Sequence, residues 1–120
     1  MGQEGCMLED CLFCKIASGD MPARIVAESD RWLAFRDIDP KAPVHVLIIP
    51  REHFESLDEL EEGHRSLAGE LLLAAQRVAE SEGIGGGYRL VANTGADAGQ
   101  TVFHLHLHVL GGRAMRWPPG

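Results

Sequence analysis

The chain has 120 residues, with 11 Lys and Arg against 18 Asp and Glu and a formal net charge of −7. Hydrophobic residues make up 45% and charged residues 24%, the balance of one globular domain with a core rather than of a disordered segment. An acidic chain without a basic block lacks the footprint of a general nucleic-acid binder or a basic membrane-surface helix, and no apolar stretch approaches the ~20 residues of a membrane span.

Residues 1–10 read as a loose leader without the basic and apolar regions of a secretory signal, so a cytoplasmic location is expected. Three cysteines do not make a disulfide framework. Cys11 and Cys14 form a C-x-x-C, open to a metal-binding, redox or incidental reading, and Cys6 is left unassigned. Residues 11–18 suit a short helix stopped by Gly19 and Pro22. Residues 25–27 and Trp32–Arg36 read as two short strands around an acidic turn, residues 39–43 with their two prolines as a loop, and residues 45–49 (HVLII) as a buried strand.

One long helix follows. Asp58 is a candidate N-cap with Glu61 at the capping-box position, while Gly63 and Gly69 weaken the early turns and point to a start after Gly63. Leu67, Leu71, Ala74, Ala75, Val78 and Ala79 recur at helical spacing and form a core-facing stripe. The glycines at 83 and 85–87 end it. Residues 88–92 alternate as a strand, 93–100 form a Gly- and Asp-rich turn, 101–110 read as a last strand, and 111–120 as an irregular tail. The expected class is therefore α+β: a five-stranded antiparallel sheet with one long and one short helix, in a single domain over 11–120.

Half of the six histidines fall in His104-Leu105-His106-Leu107-His108-Val109. In a strand, period-2 alternation lines the three imidazoles on one face and Leu105, Leu107 and Val109 on the other. Such a His face can be a solvated surface, a metal site, or a nucleophilic or acid/base cluster. The preceding loop, with Asn93, Gly99 and Thr101, offers small residues, backbone N–H groups and a hydroxyl to an anion. No P-loop occurs, and Lys15 and Lys41 are the only lysines, so a monophosphate ester or amidate suits the chain better than a triphosphate with Mg²⁺.

H-L-H-L-H-V-L followed by Gly111-Gly112 resembles the signature of the histidine-triad (HIT) family of nucleotide hydrolases and transferases. C-L-F-C-K-I, F-R-D-I-D-P-K-A-P-V-H-V-L-I-I-P and Y-R-L-V-A-N-T-G match the family's order and spacing, and the ending G-G-R-A-M-R-W-P-P-G resembles the tail of its Hint branch, the purine nucleoside phosphoramidases. The resemblance implies a HIT-like fold and cleavage of nucleoside 5′-phosphoramidates to the monophosphate, with no cofactor in the chemistry. His106 would be the nucleophile, its tautomer held by the His104 carbonyl; His108 would lie near the phosphate and leaving group, and His45 would complete the cluster. Asp37 matches the acidic residue that holds the ribose hydroxyls. Phe13, Ile16, Ile38 and Leu47 match the apolar clamp around the base, and Asn93, Gly99 and Thr101 the phosphate-facing set, where the branch commonly has Ser in place of Thr101. Trp117 matches a tail aromatic that shapes the leaving-group side across a homodimer. Cys11, Cys14, His53 and His104 match a structural zinc set of the bacterial type, closed to substrate because all four positions are filled by protein. Expected partners are a purine nucleoside monophosphate or phosphoramidate and a second copy of the chain, with no nucleic acid and no membrane. Two other readings remain open: a metal-dependent hydrolase with an open zinc among the histidines, and a non-catalytic nucleotide- or partner-binding module on the same fold.

Overall fold

A computed structural model describes residues 10–120; residues 1–9, with Cys6 and nearly all of the expected leader, lie outside the described residues. In chain order the elements are α1 (Leu12–Ser18), β1 (Ile25–Glu28), β2 (Trp32–Arg36), β3 (Val44–Pro50), α2 (Arg65–Ser81), β4 (Tyr88–Val91) and β5 (Leu107–Gly111). The five strands form one antiparallel sheet in the order β1-β2-β3-β5-β4. The expected class, strand number and two helices are therefore the observed ones.

The sheet is apolar on both faces at its centre. Along β2 and β3, Trp32, Ala34, Val46 and Ile48 turn to one face, where they pack with Leu67, Leu71, Ala74, Ala75, Val78 and Ala79 of α2 and with Leu105, Leu107 and Val109. Leu33, Phe35, Leu47 and Ile49 turn to the other and pack with Phe13 and Ile16 of α1. Strands covered on both faces read as continuous apolar runs, which is why residues 45–49 do not alternate. Among the described residues no helix is long and apolar enough to cross a membrane.

The cap assigned to the long helix and the start of the last strand differ from the expectation. α2 begins at Arg65, after Gly63 as the early glycines indicate, and Asp58 does not cap it. Two short 3₁₀ turns, Leu57–Glu59 and Glu62–His64, occupy the approach; Ser56 caps the first and Glu61 with His64 forms the reciprocal capping box of the second. His64, unassigned in the sequence, thus accepts the Glu61 N–H at Nδ1 (2.9 Å) and packs its ring on Phe54. The last strand begins at Leu107 rather than at residue 101. Its pairing with β3 stops at Ile48↔Leu107, and beyond that point the Pro50 carbonyl accepts the side chain of His104 (2.9 Å) instead of a ladder N–H, while Leu105 N–H bonds Phe54 O (2.6 Å). His104 and His106 therefore lie on an irregular segment, bent at His104, that leads into β5, and only His108 lies in the strand.

β5 ends in a close approach. A Cβ on Gly111 would stand 2.6 Å from Ile84 Cδ1 and 3.0 Å from Ile84 Cβ, and Ile84 is buried. Gly111→Ala is expected to destabilise the fold by about 1–3 kcal/mol through overpacking. The same substitution in an Ile84→Ala background should cost clearly less, as measured by urea unfolding of the four proteins.

Candidate active site and metal centre

The register of the sheet assembles the histidines. His45 in β3 faces the same side as Leu47, and Leu47 pairs with His108 of β5, so His45 and His108 are diagonal neighbours. Their rings meet with His45 Nε2 2.9 Å from His108 Nδ1. His106 follows at 4.9 Å from the His108 ring centre. The sequence thus brings His45, His106 and His108 together as expected, with His104 turned away beneath them.

The protons of this cluster can be placed from its backbone partners. The His104 carbonyl, 2.7 Å from His106 Nδ1, can only accept, so Nδ1 carries the hydrogen and Nε2 presents a lone pair. The Lys41 backbone N–H donates to His45 Nδ1 (3.0 Å), so His45 carries its hydrogen on Nε2 and donates to His108 Nδ1. His108 is left with an N–H at Nε2. Burial pushes the pKa values of His45 and His106 down from 6.5 and that of His108 to about 4, the neighbouring His106 and His45 adding to the last shift. The three rings are neutral at pH 7: one lone pair at His106 Nε2 and one donor at His108 Nε2.

Asp37 follows β2. Its Oδ1 accepts the Asp39 N–H (2.8 Å) and its Oδ2 lies 3.5 Å from His45 Nε2. Asp37, Ile38 and His45 line a cavity of about 420 Å³. Phe13, Ile16 and Leu47 are buried in one apolar cluster, and the Phe13 ring stands edge-on to the His106 ring at 5.1 Å. Ile38 is 97% exposed and Trp117 82% exposed, so neither is packed against that cluster. Asn93 is half-buried, while Gly99 and Thr101 are exposed on the loop before the triad; Thr101 lines a separate cavity of about 410 Å³ beside Cys11 and His53.

Two contributors escaped the sequence reading. Gln100 is buried and makes three hydrogen bonds, accepting from Gly95 N–H (2.8 Å) and donating to Glu55 O (2.7 Å) and Val102 O (3.1 Å). It fixes the loop that carries Gly99 and Thr101. The Lys41 amide sets the His45 tautomer. A backbone N–H leaves no trace in the residue types, whereas a polar residue between Gly99 and Thr101 was a signal available to notice.

Below the triad, Cys11, Cys14, His53 and His104 bring one donor atom each within 4.8 Å of one another. The separations are 3.2 Å between the two Nδ1 atoms, 3.3 Å from Cys11 Sγ to His104 Nδ1, and 3.4 and 3.7 Å from Cys14 Sγ to His53 and His104 Nδ1. A tetrahedral ion with the usual metal–nitrogen and metal–sulfur lengths sets its ligand atoms about 3.3 Å (N···N) and about 3.5 Å (N···S) apart, so this set can hold a metal. The outer contacts agree. His104 donates Nε2–H to the Pro50 carbonyl, the bond a ligating imidazole makes with its far nitrogen, and Nδ1 turns its lone pair toward the sulfurs.

Asp37, His45 and His108 also lie close enough to share an ion. His45, however, faces a donor, not an acceptor, at its far nitrogen, and ligation at Nε2 would break the Lys41 bond. This second cluster is wired for protons rather than for a metal.

Residues 18–115 match the family model described as HIT domain. The chain is 52% identical over 114 residues to an uncharacterised HIT-like protein of Synechococcus elongatus, covering 95% of this chain and all of that one. Among solved structures, a HIT family hydrolase from Legionella pneumophila superposes with a TM-score of 0.90 at 49% identity, over 92% of this chain and all of that one. A histidine triad nucleotide-binding protein from Candida albicans superposes at 0.78 with 29% identity, over 91% and 83% of the two chains.

The depressed pKa of His108 has a consequence for stability. Below pH 6.5 the unfolded chain takes up a proton on this residue that the folded chain refuses until about pH 4. Stability is thus complete above pH 6.5 and falls as the pH drops toward 4. Urea unfolding at pH 7 and pH 5 should show wild type losing on the order of 1 kcal/mol more than His108→Asn, a figure reduced for the partial exposure of the ring.

Proposed function

The chain belongs to the HIT domain family, and from that premise we propose that it hydrolyses nucleoside 5′-phosphoramidates, such as adenylated amines, to the nucleoside monophosphate through a covalent nucleotidyl intermediate on His106. The observation that carries this reading is the 2.7 Å bond from His106 Nδ1 to the His104 carbonyl. It leaves a neutral Nε2 lone pair as the nucleophile without any base having to remove a proton first. The Legionella relative is described as a hydrolase and the Candida relative as nucleotide-binding, which supports the same class.

The other residues take roles to match. Asp37, its Oδ1 already anchored by Asp39, accepts the ribose hydroxyls, and Phe13, Ile16 and Leu47 form the apolar wall for the base, with the exposed Ile38 beside Asp37 free to pack on the bound nucleoside. Asn93, Gly99 and Thr101 face the phosphate from the loop held by Gln100. His106 Nε2 attacks the α-phosphorus, forming a P–N bond as the bond to the amine breaks. The departing nitrogen takes a proton through His108 Nε2, backed by His45. Water then adds to phosphorus, the monophosphate leaves, His106 recovers its lone pair, and a proton of that water refills the His45–His108 pair. No metal takes part in these steps.

Cys11, Cys14, His53 and His104 would hold a structural zinc, a Lewis acid with no position left for substrate. The chain would act as a cytoplasmic homodimer. Exposed Leu72 and Leu73 on α2 and Tyr88 and Leu90 on the edge strand β4 offer the apolar surface a second copy would cover, and the exposed Trp117 would be buried across the pair.

Intact-mass spectrometry after mixing with adenosine 5′-phosphoramidate and quenching in alkali tests the chemistry, since the nucleotidyl-imidazole bond is acid-labile. Wild type is expected to carry an AMP-sized adduct and release AMP. His106→Ala should form no adduct and lose on the order of 10³-fold or more in rate. AMP release at the wild-type rate from that variant would remove the proposed nucleophile, and binding without turnover in wild type would favour the non-catalytic module. For the metal, elemental analysis should find one zinc per chain. Cobalt substitution should produce a thiolate charge-transfer band that Cys11→Ala weakens.

A further inference from the structure

The tail that follows β5 reaches the donor end of the histidine cluster through one side chain. Arg113, an exposed residue, donates from Nη2 to the Lys41 carbonyl (3.1 Å) and from Nη1 to the Ala114 carbonyl (3.1 Å). Its fork thus ties the tail to the loop between β2 and β3. Beside it, Gly112 takes a left-handed conformation (φ 92°), and a Cβ there would stand 2.9 Å from Pro43 Cβ, so the tail backbone lies directly on that loop.

Lys41 is the node of the loop. Its N–H donates to His45 Nδ1 (3.0 Å), its carbonyl accepts Arg113, and its ammonium donates to Asp39 O (2.9 Å) and Asp39 Oδ2 (2.8 Å). The Lys41 and Asp39 side chains are 64% and 86% exposed, and an ion pair so open to water holds little. Residues 38–43 lie outside the strands, so the Lys41 amide depends on the Arg113 fork for its place. That place matters because a pair of neutral imidazoles can be ordered in two senses. With the Lys41 N–H on His45 Nδ1, the hydrogen on His45 Nε2 points at His108 Nδ1, and His108 keeps its hydrogen at Nε2. Without that donor the pair can reverse. His108 Nδ1–H would then donate to His45 Nε2, and His108 Nε2 would be left as a lone pair with nothing to give a leaving nitrogen.

We propose that Arg113 is a positioning residue for the reaction: through the Lys41 carbonyl it holds the amide that orders His45 and His108, and so keeps the hydrogen at His108 Nε2. The inference rests on the reading of His106 as nucleophile and His108 as donor to the leaving group. In that step the bond from phosphorus to His106 forms and the bond to the amine breaks. The electron pair of the broken bond stays on the amine nitrogen, which takes the proton at His108 Nε2. Arg113 touches neither the substrate nor the reacting atoms and exchanges no proton.

Two derivatives of AMP separate this role from a merely structural one. An N-alkyl phosphoramidate loses an amine, which needs a proton at nitrogen, whereas a 4-nitrophenyl ester loses a phenolate, which needs none. Single-turnover rates with both, AMP affinity by calorimetry and the ¹⁵N imidazole signals of His45 and His108 are measured in wild type, Arg113→Ala, Arg113→Lys and Arg89→Ala. Arg89 donates to the Arg116 carbonyl (2.7 Å) and so ties the tail without touching Lys41. In Arg113→Ala the phosphoramidate should react about tenfold more slowly, part of the ~10²–10⁴-fold that a positioned acid contributes. The nitrophenyl ester rate and AMP affinity should change little, and His45 should pass from one Nε2–H tautomer to a mixture. Arg113→Lys, which keeps a donor for the Lys41 carbonyl, should recover most of the lost rate, and Arg89→Ala should keep the wild-type ratio of the two substrates. An Arg113→Ala protein that slows both substrates equally, or keeps the wild-type ratio and tautomer, would overturn the proposal, as would an equal change of ratio in Arg89→Ala. If wild type forms no adduct with either substrate, the nucleophile reading fails separately. The tautomer then decides alone: a mixture in Arg113→Ala supports the positioning role, and an unchanged Nε2–H form overturns it.

Discussion

The hydrogen bond from His106 Nδ1 to the His104 carbonyl, 2.7 Å long, determines which nitrogen of the imidazole keeps its lone pair. A carbonyl has no proton to exchange, so the assignment does not depend on pH or on a second titratable group. The bond forms within the one short segment that leads into β5, two residues apart. It leaves the neighbouring rings free for a different task. His45 and His108 are ordered in the opposite sense, from a backbone donor at Lys41 outward, and end in an N–H at His108 Nε2. Two backbone groups, one acceptor and one donor, thus polarise three chemically identical side chains into one free lone pair and one donor pair.

Burial makes that polarisation durable. Each of the three rings is held below its ordinary pKa chiefly by desolvation, so none is protonated in neutral water. The desolvation comes from the packing that builds the sheet. Phe13 and Leu47 of the smaller apolar cluster close one side of the site, and the β3–β5 register closes the other.

Much of this was legible in the residues. The unbroken apolar run of β3 marked a strand covered on both faces, the 67–79 stripe marked α2, and alternation through 104–109 separated imidazoles from leucines as the structure does. The four metal-set residues lie together although 93 residues separate Cys11 from His104. The limits of the reading have physical causes. Alternation marks side-chain facing, not ladder hydrogen bonds, so it could not show that β5 begins only at Leu107, after the His104 side chain has taken the Pro50 carbonyl. The early glycines located the start of α2, whereas the capping rules misplaced its cap at Asp58 and missed the two 3₁₀ turns before it, because the capping box of the second uses a histidine in the place of the usual Glu or Gln. The Lys41 amide belongs to the backbone and has no signature in residue type.

The double covering of β2 and β3 has one more consequence, for how the sheet finds its alignment. A strand with one wet face resists slipping by a residue because the slip would expose its apolar side. From Val46 to Ile49 both faces of β3 are apolar, and a one-residue slip would bury nearly as much oil as the native pairing. It would also turn His45 inward against α2, away from His108 and Lys41, and strand a polar ring without partners in the larger core. The imidazoles therefore work as registration marks: the groups that equip the molecule for chemistry also penalise the misaligned sheet, and an apolar replacement at position 45 would remove a folding check along with a side chain.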